Sequence, residues 1–293
     1  MKALVGLAAM VGLVFGGIIA WPALKRDVGP SLTHALRQLQ SQSSPTTFGT
    51  AHVKTQSRAA RTRTIQHQLE AVASGDIPGL VEVDSNHHYL FDVLCTAWPE
   101  GAGYFVTDYH CVYGTAAAPG AIGRLLGEGV SLTPLTRNGS VLDSSFNATV
   151  VAADPAHDLA LLRIGGGINL GAWPNLDRRL PLDLGPVSAG QPLVALDFHA
   201  INQRPYAAYG QVIDPSLNDS PDPAANDYPG EPNDYQDVIQ VGATVFAGNS
   251  GGPVLNAQGQ VVGIVALGGD GSATYEATPI AAVGSEIEGW LGQ

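Results

Sequence analysis

The chain has 293 residues, room for one large domain or two small ones, and its 45% hydrophobic content suits a packed globule. Its 36 Gly and 20 Pro are under a fifth of the chain, too few for a disordered protein. The net charge of −12 is uneven: residues 1–77 carry 8 Lys/Arg against 3 Asp/Glu, residues 78–293 carry 6 against 23, and no base follows Arg204. So acidic a body repels nucleic acid and anionic lipid, which are excluded as partners.

Lys2 precedes an apolar run over residues 3–24, closed by Lys25 and Arg26. The run is long for a signal-peptide core and just long enough to cross a bilayer. Charges flank it on both sides, so orientation stays open. Residues 1–27 are therefore expected to be a signal peptide or membrane anchor, and the rest of the chain to be extracytoplasmic: secreted, periplasmic or cell-surface.

Residues 28–77 form a basic stalk or pro-region, partly helical. Residues 41–50 are a Ser/Thr/Pro/Gln-rich breaker. Residues 57–74 have helical composition, with Ile65, Leu69 and Val72 on one face and Arg58, Arg61 and Arg63 near the start; Gly75 ends the pattern. The positive charge can hold this segment against the acidic body, or leave it a solvated linker.

From Leu80 the period becomes that of strands. Short apolar runs recur at 81–83, 90–94, 103–106, 130–135, 148–152 and 159–164, then at 192–198, 208–213, 238–241, 252–255, 261–267 and 273–277. Residues 181–186, bounded by prolines, read as a crossing between two halves. Residues 278–291 read as a closing helix with Pro279 in its first turn. Residues 214–237 interrupt the second half with seven acidic residues, five prolines and no base. Oxygen-rich side chains suit a hard cation, but no Asp-x-Asp-x-Asp-Gly spacing is present, so a solvated loop is expected. Asn138, Asn147 and Asn218 begin Asn-x-Ser/Thr sequons, relevant where the source glycosylates.

Three motifs carry chemistry. Gly248-Asn249-Ser250-Gly251-Gly252-Pro253 sets one serine on a glycine-lined turn, where its hydroxyl is exposed and backbone N–H groups can face a developing oxyanion. Phe105-Val106-Thr107-Asp108-Tyr109-His110-Cys111 ends an apolar strand in a histidine. Asp158 leads the aliphatic run Leu159-Ala160-Leu161-Leu162. His87, His88, His157 and His199 compete with His110, and Asp154 with Asp158. However, His87 and His88 lack a strand-end setting, His157 abuts Asp158 in a turn, and Asp154 precedes Pro155 as a turn residue.

The order His, Asp, Ser is of the chymotrypsin type. On these motifs, from about Leu80 to the C-terminus, the chain resembles chymotrypsin-fold (trypsin-like) serine endopeptidases. It is closest in wording to the HtrA/Deg branch, with no PDZ domain expected after the second half. The resemblance implies an all-β fold of two six-stranded antiparallel β-barrels, the first over about 78–165 and the second over about 180–280. The active site would lie in the cleft between them, with an apolar helix before the barrels and a helix after them.

By the same resemblance Ser250 is the nucleophile, His110 the base, and Asp158 the group that orients and charges against the imidazole. The N–H groups of Gly248 and Ser250 form the oxyanion hole. A disulfide between Cys95 and Cys111 closes the loop beside the histidine, which implies an oxidising compartment. Thr244 stands where trypsin-like enzymes carry the aspartate of the pocket floor. Ala266, Leu267 and Gly268 follow the strand that pairs with substrate, and Ala273 lines the far wall. No charge selects Lys or Arg there, so small to medium aliphatic residues are expected before the scissile bond. Protein or peptide substrates are implied, with no cofactor and no metal; the oligomeric state is open.

Two departures stand out. Asn249 replaces the aspartate that pairs with a new N-terminus in trypsin-like zymogens, so maturation by N-terminal insertion is not expected. Ala266 replaces a Ser or Thr whose hydroxyl bonds the triad aspartate, which puts efficiency in doubt. The alternative is therefore a catalytically weak or inactive binding or regulatory protein on the same fold, and an esterase is a third possibility.

Overall fold

The computed structural model describes residues 51–76, 79–85, 93–112, 129–134, 145–166, 175–199, 204–217, 220–221, 234–235, 237–268 and 271–292. The apolar run 3–24, His87, His88, Asn138, Asn218 and most of the acidic loop lie outside them.

Helix α1 (Ala51–Asp76) is longer than the 57–74 expected. Leu69 and Ala73 are buried, and Ile65 and Val72 pack beside them, against a cluster that includes Val194, Leu196 and Phe198. These four positions recur at helical spacing, so one stripe docks while Arg61 and Arg63 stay exposed. This part of the basic segment is thus part of the packed body and no free linker.

Six strands follow: β1 (Val81–Ser85), β2 (Val93–Gly101), β3 (Tyr104–Thr107), β4 (Gly129–Pro134), β5 (Phe146–Asp154) and β6 (Leu159–Ile164). They close an antiparallel barrel in the order β1-β2-β3-β6-β5-β4. The expected strand at 90–94 instead runs on to Gly101. Cys95 and Ala97 fill the barrel, while Leu94 and Trp98 face outward into a second apolar layer. The hairpin to β3 turns on Gly101 and Gly103, both at φ +80°, a conformation glycine adopts without strain.

The second barrel comprises β7 (Pro192–His199), β8 (Arg204–Leu217), β11 (Val238–Val241), β12 (Pro253–Leu255), β13 (Val261–Leu267) and β14 (Tyr275–Pro279). Its order is β11-β14-β13-β12-β7-β8. Between β8 and β11, the short strands β9 (Ser220–Pro221) and β10 (Asp234–Tyr235) pair as a ribbon. The acidic segment thus begins as strand and ribbon, not as loop from Asp214. Helix α2 (Ile280–Leu291) starts one residue after Pro279, whose φ −71°, ψ 133° is extended. That proline still pairs with Gly263, so it closes the last strand and does not open the helix.

The seam between the barrels explains the unbroken apolar runs. In β6, Ala160 and Leu162 fill the first barrel, while Leu159 and Leu161 are buried on the other face. There they meet Trp98, Val106, Leu196, Phe198, Leu255 and Ile264, with Ile280, Val283 and Ile287 of α2. A strand buried on both faces has no polar alternation to show. The crossing runs along this seam: Val261 N–H donates to Pro181 O (2.8 Å) and Asp183 N–H to Val261 O (2.9 Å).

Candidate active site

His110 lies in the turn directly after β3, and Asp158 ends the single 3-10 turn Pro155–His157 that leads into β6. Asp158 has left-handed backbone, φ 50° and ψ 50°, which swings its side chain back toward the end of β3. Its carboxylate holds His110 at two points. Oδ1 accepts the His110 backbone N–H (2.8 Å), and Oδ2 lies 2.7 Å from Nδ1. With Nδ1–H given to the carboxylate, the neutral ring keeps its lone pair on Nε2. The Asp158 side chain is fully buried and that of His110 only 12% exposed, so water screens this pair weakly. Cys95 and Cys111 are joined, with Cα atoms 5.9 Å apart, which ties β2 to the residue following His110.

Ser250 sits on a tight turn. Asn249 N–H donates to Phe246 O (3.1 Å) and Gly252 N–H to Asn249 O (3.0 Å). The Asn249 C=O is thus turned inward. Trans planarity then directs the Ser250 N–H the opposite way, out of the turn. Gly248 and Gly251 have φ +97° and +80°. At Gly251 a Cβ would collide with Thr107 Oγ1 and Thr96 O, so this glycine is required by both backbone and space.

Asn249 is 1% exposed. Its Oδ1 accepts the Phe246 N–H and its Nδ2 donates to Phe198 O (3.1 Å). A neutral amide therefore satisfies from within the turn what an aspartate would leave as a buried charge.

Two residues that sequence reasoning passed over clamp this turn to the first barrel. Thr96 N–H donates to Ser250 O (2.8 Å), Thr96 Oγ1 donates to Gly248 O (2.8 Å), and the same oxygen accepts Phe198 N–H (2.7 Å). Asp108 Oδ2 accepts the Gly251 N–H (2.7 Å). Thr96 follows Cys95, and Asp108 lies two residues before His110. The serine turn and the histidine segment are thus held together across the seam. Adjacency to a cysteine and to the histidine was the available signal.

The residues expected to shape a specificity pocket are spread. Thr244 and Leu267 are half-buried, Ala266 is 4% exposed, and Gly268 and Ala273 are exposed. Ala266 and Leu267 pack with Leu217, inside the acidic segment at the end of β8, and with Val238, just after that segment. A Cβ at Gly268 would lie 2.6 Å from Val245 Cγ2 and 3.1 Å from Tyr275 Cβ. The two segments flanking the serine therefore touch there. Deeper in the barrel, burial pushes the Asp197 carboxyl well above its ordinary range.

The competing groups form a separate surface set. His157 Nδ1 pairs with Asp154 Oδ2, and Asp154 also accepts the Ala156 N–H (2.9 Å). Burial works to raise Asp154, but these bonds outweigh it and hold the carboxyl below its usual value. The nearby Glu286 is raised, by burial first and then by Asp154. This set caps a turn and meets α2.

Residues 95–264, more than half of the chain and containing His110, Asp158 and Ser250, match the trypsin-like peptidase domain. The chain belongs to that family. It is 28% identical over 165 residues to the serine protease Do-like HtrA of Lactobacillus helveticus, covering 56% of this chain and 32% of that one. It is also 28% identical over 120 residues to the mitochondrial serine protease HTRA2 of Bos taurus, covering 41% and 23%. The chain thus spans about a third or less of the length of these relatives. Among solved structures, the Rv3671c protease of M. tuberculosis in its active form aligns with a TM-score of 0.55 at 22% identity, covering 74% of this chain and 82% of that one. The serine endoprotease of Yersinia pestis aligns with a TM-score of 0.51 at 20% identity, covering 78% and 66%. Both share the fold of two six-stranded barrels.

Proposed function

We propose that this trypsin-like domain is an active serine endopeptidase of the HtrA type. The observation that carries the reading is the two-point hold of Asp158 on His110, beside a glycine turn that presents Ser250. In this reading Ser250 Oγ attacks the scissile carbonyl carbon while Nε2 of His110 takes its proton. Asp158 keeps Nδ1 protonated and stabilises the imidazolium. The Gly248 and Ser250 N–H groups receive the oxyanion, and losing one such donor costs about a hundredfold or more in rate. The C–N bond then breaks and the amine leaves with the proton from His110. Water, deprotonated by the same ring, hydrolyses the acyl-enzyme and frees Ser250.

The self-satisfied Asn249 supports an enzyme that needs no inserted N-terminus. Thr244 and the close approach of Val245 to Gly268 support a shallow slot, hence small to medium aliphatic residues before the scissile bond. The apolar run 3–24 and the cysteine pair support an exported protein, with the run as its signal peptide or membrane anchor, acting on protein or peptide substrates. The test is cleavage of casein and a peptide library by the full chain beside Ser250→Ala. Cleavage after Ala, Val or Leu by the parent alone is expected. Cleavage mainly after Arg or Glu would refute the pocket, and equal activity of the two proteins would refute the site.

A further inference from the structure

Resting on the serine-protease reading, we propose that Asp108 is a second carboxylate of this machinery, a positioning residue. It fixes the turn after Ser250 and adds a negative charge beside the His110 ring.

Asp108 is fully buried. Its Oδ2 accepts the Gly251 N–H at 2.7 Å and lies 3.9 Å from His110 Nδ1. One atom each from Asp108, His110 and Asp158 lies within 4.8 Å of the others. The imidazole is therefore flanked by two buried carboxylates, one bonded to it and one at Coulombic range. The same oxygen that faces the ring also accepts from the residue after Ser250, whose N–H is shared with Val265 O (2.9 Å), so this side chain joins the Thr96 clamp in setting the distance between ring and serine turn. A 2.7 Å bond to a backbone N–H is at the short, charge-assisted end of the range, which fits an ionised acceptor.

Among the described residues, few titratable groups face the ring. Asp108 comes from its own segment, Asp158 from the turn before β6, and the Cys95–Cys111 bridge from β2 does not titrate. The facing turn of the second barrel, residues 248–252, carries no acid or base. An opposite charge within about 4–6 Å favours a protonated imidazole by about 1–3 pH units. Asp108 thus assists the ring in taking the Ser250 proton and in holding it as imidazolium.

The decisive readout is the His110 ring titration, followed by NMR in the full chain carrying Ser250→Ala, with and without Asp108→Asn. Asparagine keeps an acceptor for Gly251 and removes the charge. The ring's midpoint is expected to fall by about 1–3 pH units, and in active protein the acidic limb of kcat/KM is expected to fall with it. A midpoint moved by less than about 0.3 unit would overturn the charge role while leaving the protease reading intact, because that reading is tested by labelling of Ser250 in the parent. A second comparison isolates the tether. Asp108→Ala should be labelled by a fluorophosphonate about tenfold more slowly than Asp108→Asn at the alkaline plateau, since Gly251 loses a charge-assisted partner. Equal rates would overturn the tether.

Discussion

Asn249→Asp is a near-isosteric change that should unbalance the turn carrying Ser250. Asn249 is 1% exposed, and its Nδ2 donates to Phe198 O at 3.1 Å. The substitution sets a carboxylate oxygen against a carbonyl oxygen, with no cation among the described neighbours to compensate. Leaving a buried charge uncompensated costs about 3–5 kcal/mol. The introduced carboxyl escapes part of that by holding a proton, and its folded pKa rises from about 3.9 toward about 7, which at about 1.4 kcal/mol per pH unit is about 4 kcal/mol. The folded state then binds more protons than the unfolded one across that window, so stability falls as pH rises through it. Urea unfolding of parent and variant should differ by about 1 kcal/mol at pH 4.5 and about 4 kcal/mol at pH 7.5. The larger value corresponds to about 10 °C in Tm for a domain of this size. Fluorophosphonate labelling should fall in step at pH 7.5. Equal unfolding midpoints at both pH values, or full labelling at pH 7.5, would refute the claim that a neutral amide holds the turn.

Two further perturbations test other parts of the account. Burial, then the neighbouring Asp84, raises Glu82 to about 7. This group's contribution is present at low pH and lost as pH rises from 4.5 through 7, so Glu82→Gln should match the parent at about pH 4. At pH 8 the variant should exceed it by about 3 kcal/mol in urea unfolding; a variant no more stable at pH 8 would contradict the assignment. Gly251→Ala would force a Cβ onto Thr107 Oγ1 and Thr96 O at φ +80°, and should lower peptidase activity more than a hundredfold with a lower Tm. Activity within threefold of the parent would show that the turn tolerates a different geometry.

Local signals made much of this molecule legible. The glycines around Ser250 announce a backbone that few residues can follow, and a histidine after Phe105-Val106-Thr107 marks a strand end. Each of the twelve barrel strands overlaps a short apolar run, because inward positions recur every second residue and strands at the seam are buried on their outer face as well. What escaped the sequence depends on contacts between distant segments. β2 continues through Pro99 and Glu100 because its seam face packs on the second barrel and Arg179 Nε reaches Glu100 Oε2 (2.9 Å). Helix α1 docks through Leu69 and Ala73, two small contributions within a largely polar segment. Thr96 and Asp108 look like ordinary flanking residues until the seam closes and sets them against Gly248, Ser250 and Gly251. The walls around Thr244 and Gly268 likewise depend on how Val245 and Tyr275 pack, which spacing does not encode.

The most direct test is to treat the full chain with a fluorophosphonate and locate the adduct by peptide mass spectrometry. The account predicts one phosphonylated residue, Ser250, with labelling abolished by His110→Ala. No adduct, or an adduct on a different serine that survives His110→Ala, would contradict it.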